Sequence, residues 1–184
     1  MKITSGRYNG FKIFSPPGRH TRPSLARVRQ AVFNMLREKL AGSTVIDCFA
    51  GTGAYGLEAL SNEAEKVLFI DDSTRELIEK NLRKTGAGKK QYEIFSCSFQ
   101  KALQKIHQKG ITAEIFMADP PYNKGYASKI LKNTQLNGIL IKGSLCVLEV
   151  HKSEAAEIET PDFFRKIKEK NYSDTHVIIF EKAV

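Results

Sequence analysis

The 184-residue chain contains no apolar run that approaches the ~20 residues a bilayer-spanning helix needs. Its first residues, Met1-Lys2-Ile3-Thr4-Ser5-Gly6, lack the apolar stretch of a secretory signal. Cysteine is scarce: Cys48, Cys97 and Cys146 are odd in number and lie in apolar or strand-like contexts. They read as reduced thiols of a cytoplasmic protein, which excludes a disulfide framework. The four histidines are scattered, and neither H-x-x-x-H nor C-x-x-C spacing occurs, so no metal is expected. Internal repeats and long linkers are also missing. Acidic residues are nearly absent from one segment: residues 1–42 hold only Glu38 against nine Lys/Arg, and so carry +8 of the net +9. Concentrated positive charge of this kind reads as a phosphate-binding surface rather than as a general aid to solubility.

What is present suits one globular domain: 41% of residues are hydrophobic and 27% charged. Residues 1–20 predict a β-hairpin, with Lys2-Ile3-Thr4 and Phe11-Lys12-Ile13-Phe14 flanking the turn signal Asn9-Gly10. Arg7, Tyr8 and Lys12 are expected near its tip. Pro23 is placed to start a helix running from about Ser24 to Leu40. Leu25, Val28, Val32, Met35 and Leu36 form its apolar face, and Arg27, Arg29 and Arg37 fall outside it.

Strands and helices then alternate, which predicts a mostly parallel sheet. Strands are expected at Thr44–Phe49, Lys66–Asp71, Tyr92–Ser96, Glu114–Ala118 and Leu145–Val150. Two more are expected at Phe164–Asn171 and His176–Lys182. Helices are expected from Tyr55 to about Ser61, from a capping box at Ser73-Thr74-Arg75-Glu76 to near Gly86, from about Phe99 to Gln108, and near Ala127–Asn133. The fold class is therefore α/β, with a Rossmann-like, mostly parallel, seven-stranded sheet. Residues 1–42 form a basic hairpin-and-helix extension packed on the 43–184 core.

The stretch Val45–Gly56 organises this pattern. An apolar strand breaks into Gly51-Thr52-Gly53 and restarts as a helix, and glycine lets backbone approach a ligand with no Cβ in the way. Gly51, Gly53 and Gly56 nearly match the dinucleotide fingerprint, but Asp47 just before the turn would repel a pyrophosphate. Asp71 lies twenty residues after Gly51, at a strand end, where a carboxylate can accept both ribose hydroxyls of a nucleoside cofactor. Asp47 either orients the glycine loop or reaches the cofactor's amino group through water. The turn Ser96-Cys97-Ser98-Phe99 is the expected adenine slot.

Asp119-Pro120-Pro121-Tyr122 ends the fourth strand. The lone pair of a purine amine is delocalised into the ring. The Asp119 carboxylate and the Pro120 carbonyl can both accept its hydrogen bonds and aim the lone pair at a methyl group. Pro121 fixes the loop, and Tyr122 offers a face for an extruded base. An already activated sulfonium needs mainly orientation and electrostatics.

These motifs resemble the bacterial RsmD family. They are Arg22-Pro23-Ser24, Arg27-Val28-Arg29, Phe33-Asn34, Asp47-Cys48-Phe49-Ala50-Gly51-Thr52-Gly53-Ala54, Gly56-Leu57-Glu58-Ala59-Leu60-Ser61 and Asp119-Pro120-Pro121-Tyr122. The resemblance implies a class I S-adenosylmethionine-dependent methyltransferase acting on the 2-amino group of a guanine in 16S ribosomal RNA, within an assembling small subunit. It implies catalytic roles for Asp119, Pro120 and Tyr122. Cofactor contacts fall to Asp47, Phe49, Gly51, Gly53, Asp71, Ser98 and Phe99, and RNA contacts to Arg7, Lys12, Arg22, Arg27 and Arg29. The chain departs from the family where a Glu is Asp71, a second acid is Ser73, an Asp or Asn is Ser98, and the threonine of R-P-T is Ser24. A DNA adenine or protein glutamine amino-methyltransferase is the alternative. The former would need a target-recognition region for which the chain has no room, and the latter would not need the basic N-terminus.

Overall fold

The computed structural model describes residues 1–15 and 23–184, side chains of residues 23–25 excepted. Seven strands, β1 (Thr44–Cys48), β2 (Lys66–Ile70), β3 (Tyr92–Phe95), β4 (Ala113–Ala118), β5 (Leu140–His151), β6 (Phe164–Tyr172) and β7 (Thr175–Lys182), form one sheet in the order β3-β2-β1-β4-β5-β7-β6. The first five run parallel; β7 is antiparallel to β5 and to β6. The parallel strands read as short apolar runs because helices cover both faces. On one face, α1 (Pro23–Leu40) and α2 (Ala54–Ser61) pack with α3 (Arg75–Thr85). On the other lie α4 (Phe99–Gln108), α5 (Tyr126–Leu131) and α6 (Thr134–Ile139). A short α7 (Lys152–Ala155) follows β5.

The sequence expects one helix near Ala127–Asn133. Two form, because the Asn133 side chain accepts the Leu136 N–H at 2.9 Å and caps a new helix. β5 begins at Leu140, five residues before the expected start, with a register shift against β4. The capping box expected at Ser73 does not form: α3 starts at Arg75, and its N-cap Thr74 makes no side-chain bond. Asp71 supplies the acceptor instead.

The expected N-terminal hairpin is reduced to a single bridge between Lys2 and Lys12. Its tip keeps turn hydrogen bonds of its own, from Asn9 N–H to the Gly6 carbonyl and from Phe11 N–H to the Tyr8 carbonyl, and also pairs with α2. Glu58 accepts the backbone N–H groups of Thr4 and Ser5, and Ser61 accepts those of Arg7 and Tyr8. Ile3 and Ile13 meanwhile join the core beneath α1 and α2. Arg29, expected outside the apolar face, is 2% exposed and bonds Glu58 through Nε at 3.0 Å. Such a buried pair is held by geometry and by the further hydrogen bonds Glu58 accepts, because its desolvation cost is high.

Candidate active site

Register decides the site. Cys48 is level with Ile70 on one side and Ala118 on the other; Ile70 is level with Phe95, and Ala118 with Leu148. The next residue of each strand, namely Phe49, Asp71, Ser96, Asp119 and Glu149, therefore stands in one row across the carboxyl end of the parallel strands. The strand order reverses between β1 and β4, the place where open α/β sheets bind ligands.

The glycine loop crosses this row. Gly51 and Gly53 have φ of 55° and 76°. A Cβ on Gly51 would meet only the Phe49 carbonyl oxygen within 4 Å, at 3.9 Å, so bare backbone borders open space there. Gly56 has a different reason: its Cβ would lie 2.2 Å from Phe69 Cε1, so only glycine lets α2 pack this close to β2. Phe49 holds φ 61°, a costly conformation for a non-glycine residue and one that concentrates at functional sites. Its ring packs 5.6 Å from Phe99 and 5.1 Å from Tyr126, giving a tilted aromatic cluster beside the loop. Ser98 is exposed at the N-cap of α4.

Asp71 is saturated on one side. Oδ1 accepts from Ser73 N at 3.0 Å, Ser73 Oγ at 3.1 Å and Thr74 N at 3.0 Å. Oδ2 accepts only the Gly51 N–H, at 2.8 Å. A carboxylate oxygen has about two acceptor positions. Oδ1 is thus fully used within the protein, and Oδ2 keeps room for a further donor. Partial burial raises its pKa, but the N–H groups of Gly51 and Ser73 outweigh this and hold the carboxyl below its ordinary value. Asp47 takes the first of its two expected roles: Oδ2 accepts the Gly56 N–H at 2.8 Å and orients the start of α2. Burial pushes its pKa up to about 7, against the Gly56 hydrogen bond, with Asp71 and Asp119 adding repulsion.

Asp119 is exposed at the end of β4, while Pro120 is buried beneath it. The Tyr122 hydroxyl lies 3.2 Å from Thr175 Oγ1, and its ring centroid is 5.7 Å from that of His151. The loop beyond is tied to the end of β5 and to α7. Ser153 Oγ donates to Asn123 Oδ1 at 3.1 Å and pairs with His151 Nδ1 at 2.7 Å; Glu154 accepts the Gly125 N–H at 3.2 Å. These supports were missed in the sequence, where they lie some thirty residues downstream with no motif to mark them.

Of the basic residues assigned to RNA, Arg7, Lys12 and Arg27 are exposed, and the Arg7 guanidinium sits 4.6 Å from the Tyr8 ring centre. Arg29 is corrected: it is buried on Glu58 and the Lys2 carbonyl, so it braces the extension and presents no charge to a phosphate. Arg22 lies outside the described residues. Asn81, not singled out in the sequence, joins the extension to the loop. It accepts the Phe14 N–H at 2.7 Å and donates to the carbonyls of Thr52 and Phe14 at 2.9 and 3.1 Å. The described residues contain no cluster suited to a metal ion and no helix long and apolar enough to cross a membrane.

The residues fit a nucleoside cofactor carrying a methyl group: a cleared glycine loop, one free acceptor position on Asp71, an aromatic wall, and a polar motif at the adjoining strand end. A family model described as Conserved hypothetical protein 95 matches residues 1–181. The Ribosomal RNA small subunit methyltransferase D of Escherichia coli is 32% identical over 151 residues, 81% of this chain and 74% of that protein. A solved structure described as "Putative methyltransferase yhhF from Escherichia coli" is 26% identical, with a TM-score of 0.86 over 100% of this chain and 98% of that one. A solved structure described as "a putative methyltransferase complexed with SAH", 16% identical, shares the fold with a TM-score of 0.67 over 83% of this chain and 49% of that one.

Proposed function

The chain belongs to the RsmD family, described in its family model as Conserved hypothetical protein 95, and on that premise we propose a methyl transfer from S-adenosylmethionine to the 2-amino group of a guanine in small-subunit ribosomal RNA. The observation that carries the reading is the register that sets Asp119 and the Gly51–Gly53 loop side by side at the reversal of strand order. When bound, S-adenosylmethionine supplies a methyl group already activated on a sulfonium. Asp71 holds the ribose through Oδ2, and Phe49 and Phe99 wall the adenine. The Asp119 carboxylate and the Pro120 carbonyl accept the two N–H bonds of the target amine and so aim its lone pair. A carboxylate at this place suits an amine flanked by a ring N–H, which is the edge guanine presents. Tyr122, fixed by Thr175 and His151, gives the extruded base its stacking face. The exposed cations Arg7, Lys12 and Arg27 lie on phosphates, and an assembling small subunit supplies the RNA shape they grip.

The deciding experiment offers the protein tritiated cofactor with small subunits, naked ribosomal RNA and DNA in parallel, followed by mass spectrometry of digested product. The expected product is 2-N-methylguanine in small-subunit RNA. Label on adenine, on a pyrimidine carbon or on protein overturns the reading.

A further inference from the structure

Glu149 is the β5 member of the row of strand-end residues, and the roles above leave it unused. It is 2% exposed, and its Oε1 is buried without a hydrogen-bond partner among the described residues. Such an atom is expensive and calls for a reason. The cation that attracts it is Arg29 of α1. That guanidinium is already engaged: Nε bonds Glu58 at 3.0 Å and Nη2 bonds the Lys2 carbonyl at 2.6 Å. Side chains alternate along a strand, so Asp47, Asp119 and Glu149 point to the same face, the one covered by α1 and α2. They line one small pocket directly behind Asp119, together with Tyr55, Met117 and Val147.

We propose that Glu149 is the final acceptor of the proton released in methyl transfer, reached from Asp119 through this pocket. The proposal rests on the methyltransferase reading of the site. As the amine nitrogen uses its lone pair to form the N–C bond, the C–S bonding pair stays on sulfur. The positively charged nitrogen then sheds one proton to the Asp119 carboxylate and becomes a neutral secondary amine. Bound RNA covers the mouth at which Asp119 meets solvent. The pocket, which Asp47, Asp119 and Glu149 all border, is then the outlet, and a water in it carries the proton onward. Burial pushes Glu149 up to about 8, partly offset by Arg29, and Asp47 up to about 7. Both carboxyls line the same pocket, and burial raises each toward the neutral range. The charged or titratable groups facing Glu149 among the described residues are Arg29 with its partner Glu58, Asp47 with Asp71 beyond it, Tyr55 and Asp119. Glu149 is a positioning residue in this scheme, since it acts through Asp119.

The test compares wild type with Glu149→Gln and Glu149→Asp. Single-turnover methyl transfer by the wild type should rise with pH as the pocket empties of protons, with apparent midpoints near the two values above. Glu149→Gln should lose the upper midpoint and run at least about tenfold slower above neutrality. That is less than the roughly 10²–10⁴ of a directly acting base. Cofactor and RNA affinity should hold. Glu149→Asp should keep an upper midpoint, because it still titrates. The second readout is melting temperature against pH. A carboxyl whose pKa is raised by folding makes the folded state bind the extra proton, so its stability is lost as pH rises from the unfolded value toward the folded one. Wild type should therefore lose more melting temperature between about pH 5 and about pH 9 than Glu149→Gln. Identical pH–rate profiles for wild type and Glu149→Gln overturn the proposal, as do identical pH–melting curves. If Glu149→Gln fails to fold, an Asp variant lacking the upper midpoint overturns it. Wild-type label on a base other than guanine overturns the function reading and leaves these pH results standing.

Discussion

Replacing Asp71 with alanine should weaken cofactor binding, and the structure sets how far. The carboxylate accepts four hydrogen bonds within the protein: Gly51 N–H on Oδ2, and Ser73 N–H, Ser73 hydroxyl and Thr74 N–H on Oδ1. The three Oδ1 bonds close the β2–α3 turn, and their donors are exposed enough to turn to water when the acceptor is removed. The Oδ2 side matters more for binding, because it holds the Gly51 backbone and, in the proposed cofactor complex, takes a ribose hydroxyl. A hydrogen bond to a charged group is worth roughly 1.5–3 kcal/mol, so affinity should fall by about ten- to a hundredfold. Asp71→Asn separates the two sides: an amide keeps one carbonyl acceptor for the turn and sets an NH₂ against Gly51 or the ribose. It should fold like wild type and still bind weakly. Calorimetric titration with S-adenosylmethionine and its demethylated product gives the numbers, and circular dichroism checks the fold. The folded pKa of Asp71 lies below its unfolded value, so its stabilising contribution is present above the unfolded pKa and is lost as pH falls through the folded one. The alanine variant should lack that acid-side loss. Unchanged cofactor affinity in a folded Asp71→Ala protein refutes the assignment.

Other perturbations probe different parts of the molecule. Asp119→Ala should bind cofactor nearly as well as wild type and turn over far more slowly, and Tyr122→Ala should lose about 1–3 kcal/mol of base stacking; single-turnover rates at saturating cofactor check both, and full activity of Asp119→Ala sinks the mechanism. Arg29→Met leaves the Glu58 carboxylate buried without its partner and should cost about 3–5 kcal/mol, read from denaturant unfolding. Removing Arg7, Lys12 or Arg27 should reduce the slope of log K against log salt by about 0.7–0.9 for each phosphate that is no longer neutralised. Arg29 substitutions should change stability instead, and equal slopes in all of these variants would detach the basic segment from RNA recognition.

Much of this protein is readable one element at a time. Glycine and proline punctuation, period-two and period-3.6 patterns, and the strand-turn-helix at Val45–Gly56 depend on neighbours a few residues away. The strands therefore appear where they are expected, apart from the early start of β5, and Asp47, Asp71 and Asp119 fall at or next to the ends of theirs. The sequence also shows that positive charge is gathered in residues 1–42. What it leaves open is which groups meet through space. Arg29 reads as a surface cation by helical spacing. It is buried because Glu58, twenty-nine residues away, collects it along with the N–H groups of Thr4 and Ser5. One oxygen of Asp71 is taken up by a turn whose donors could equally have faced water. Glu149 lies in an apolar strand with no motif around it. Only the register of β4 against β5, and the alternation that turns both side chains to one face, bring it behind Asp119. Local backbone preferences are settled by adjacent residues, whereas the partner of a buried charge is settled by how the elements pack.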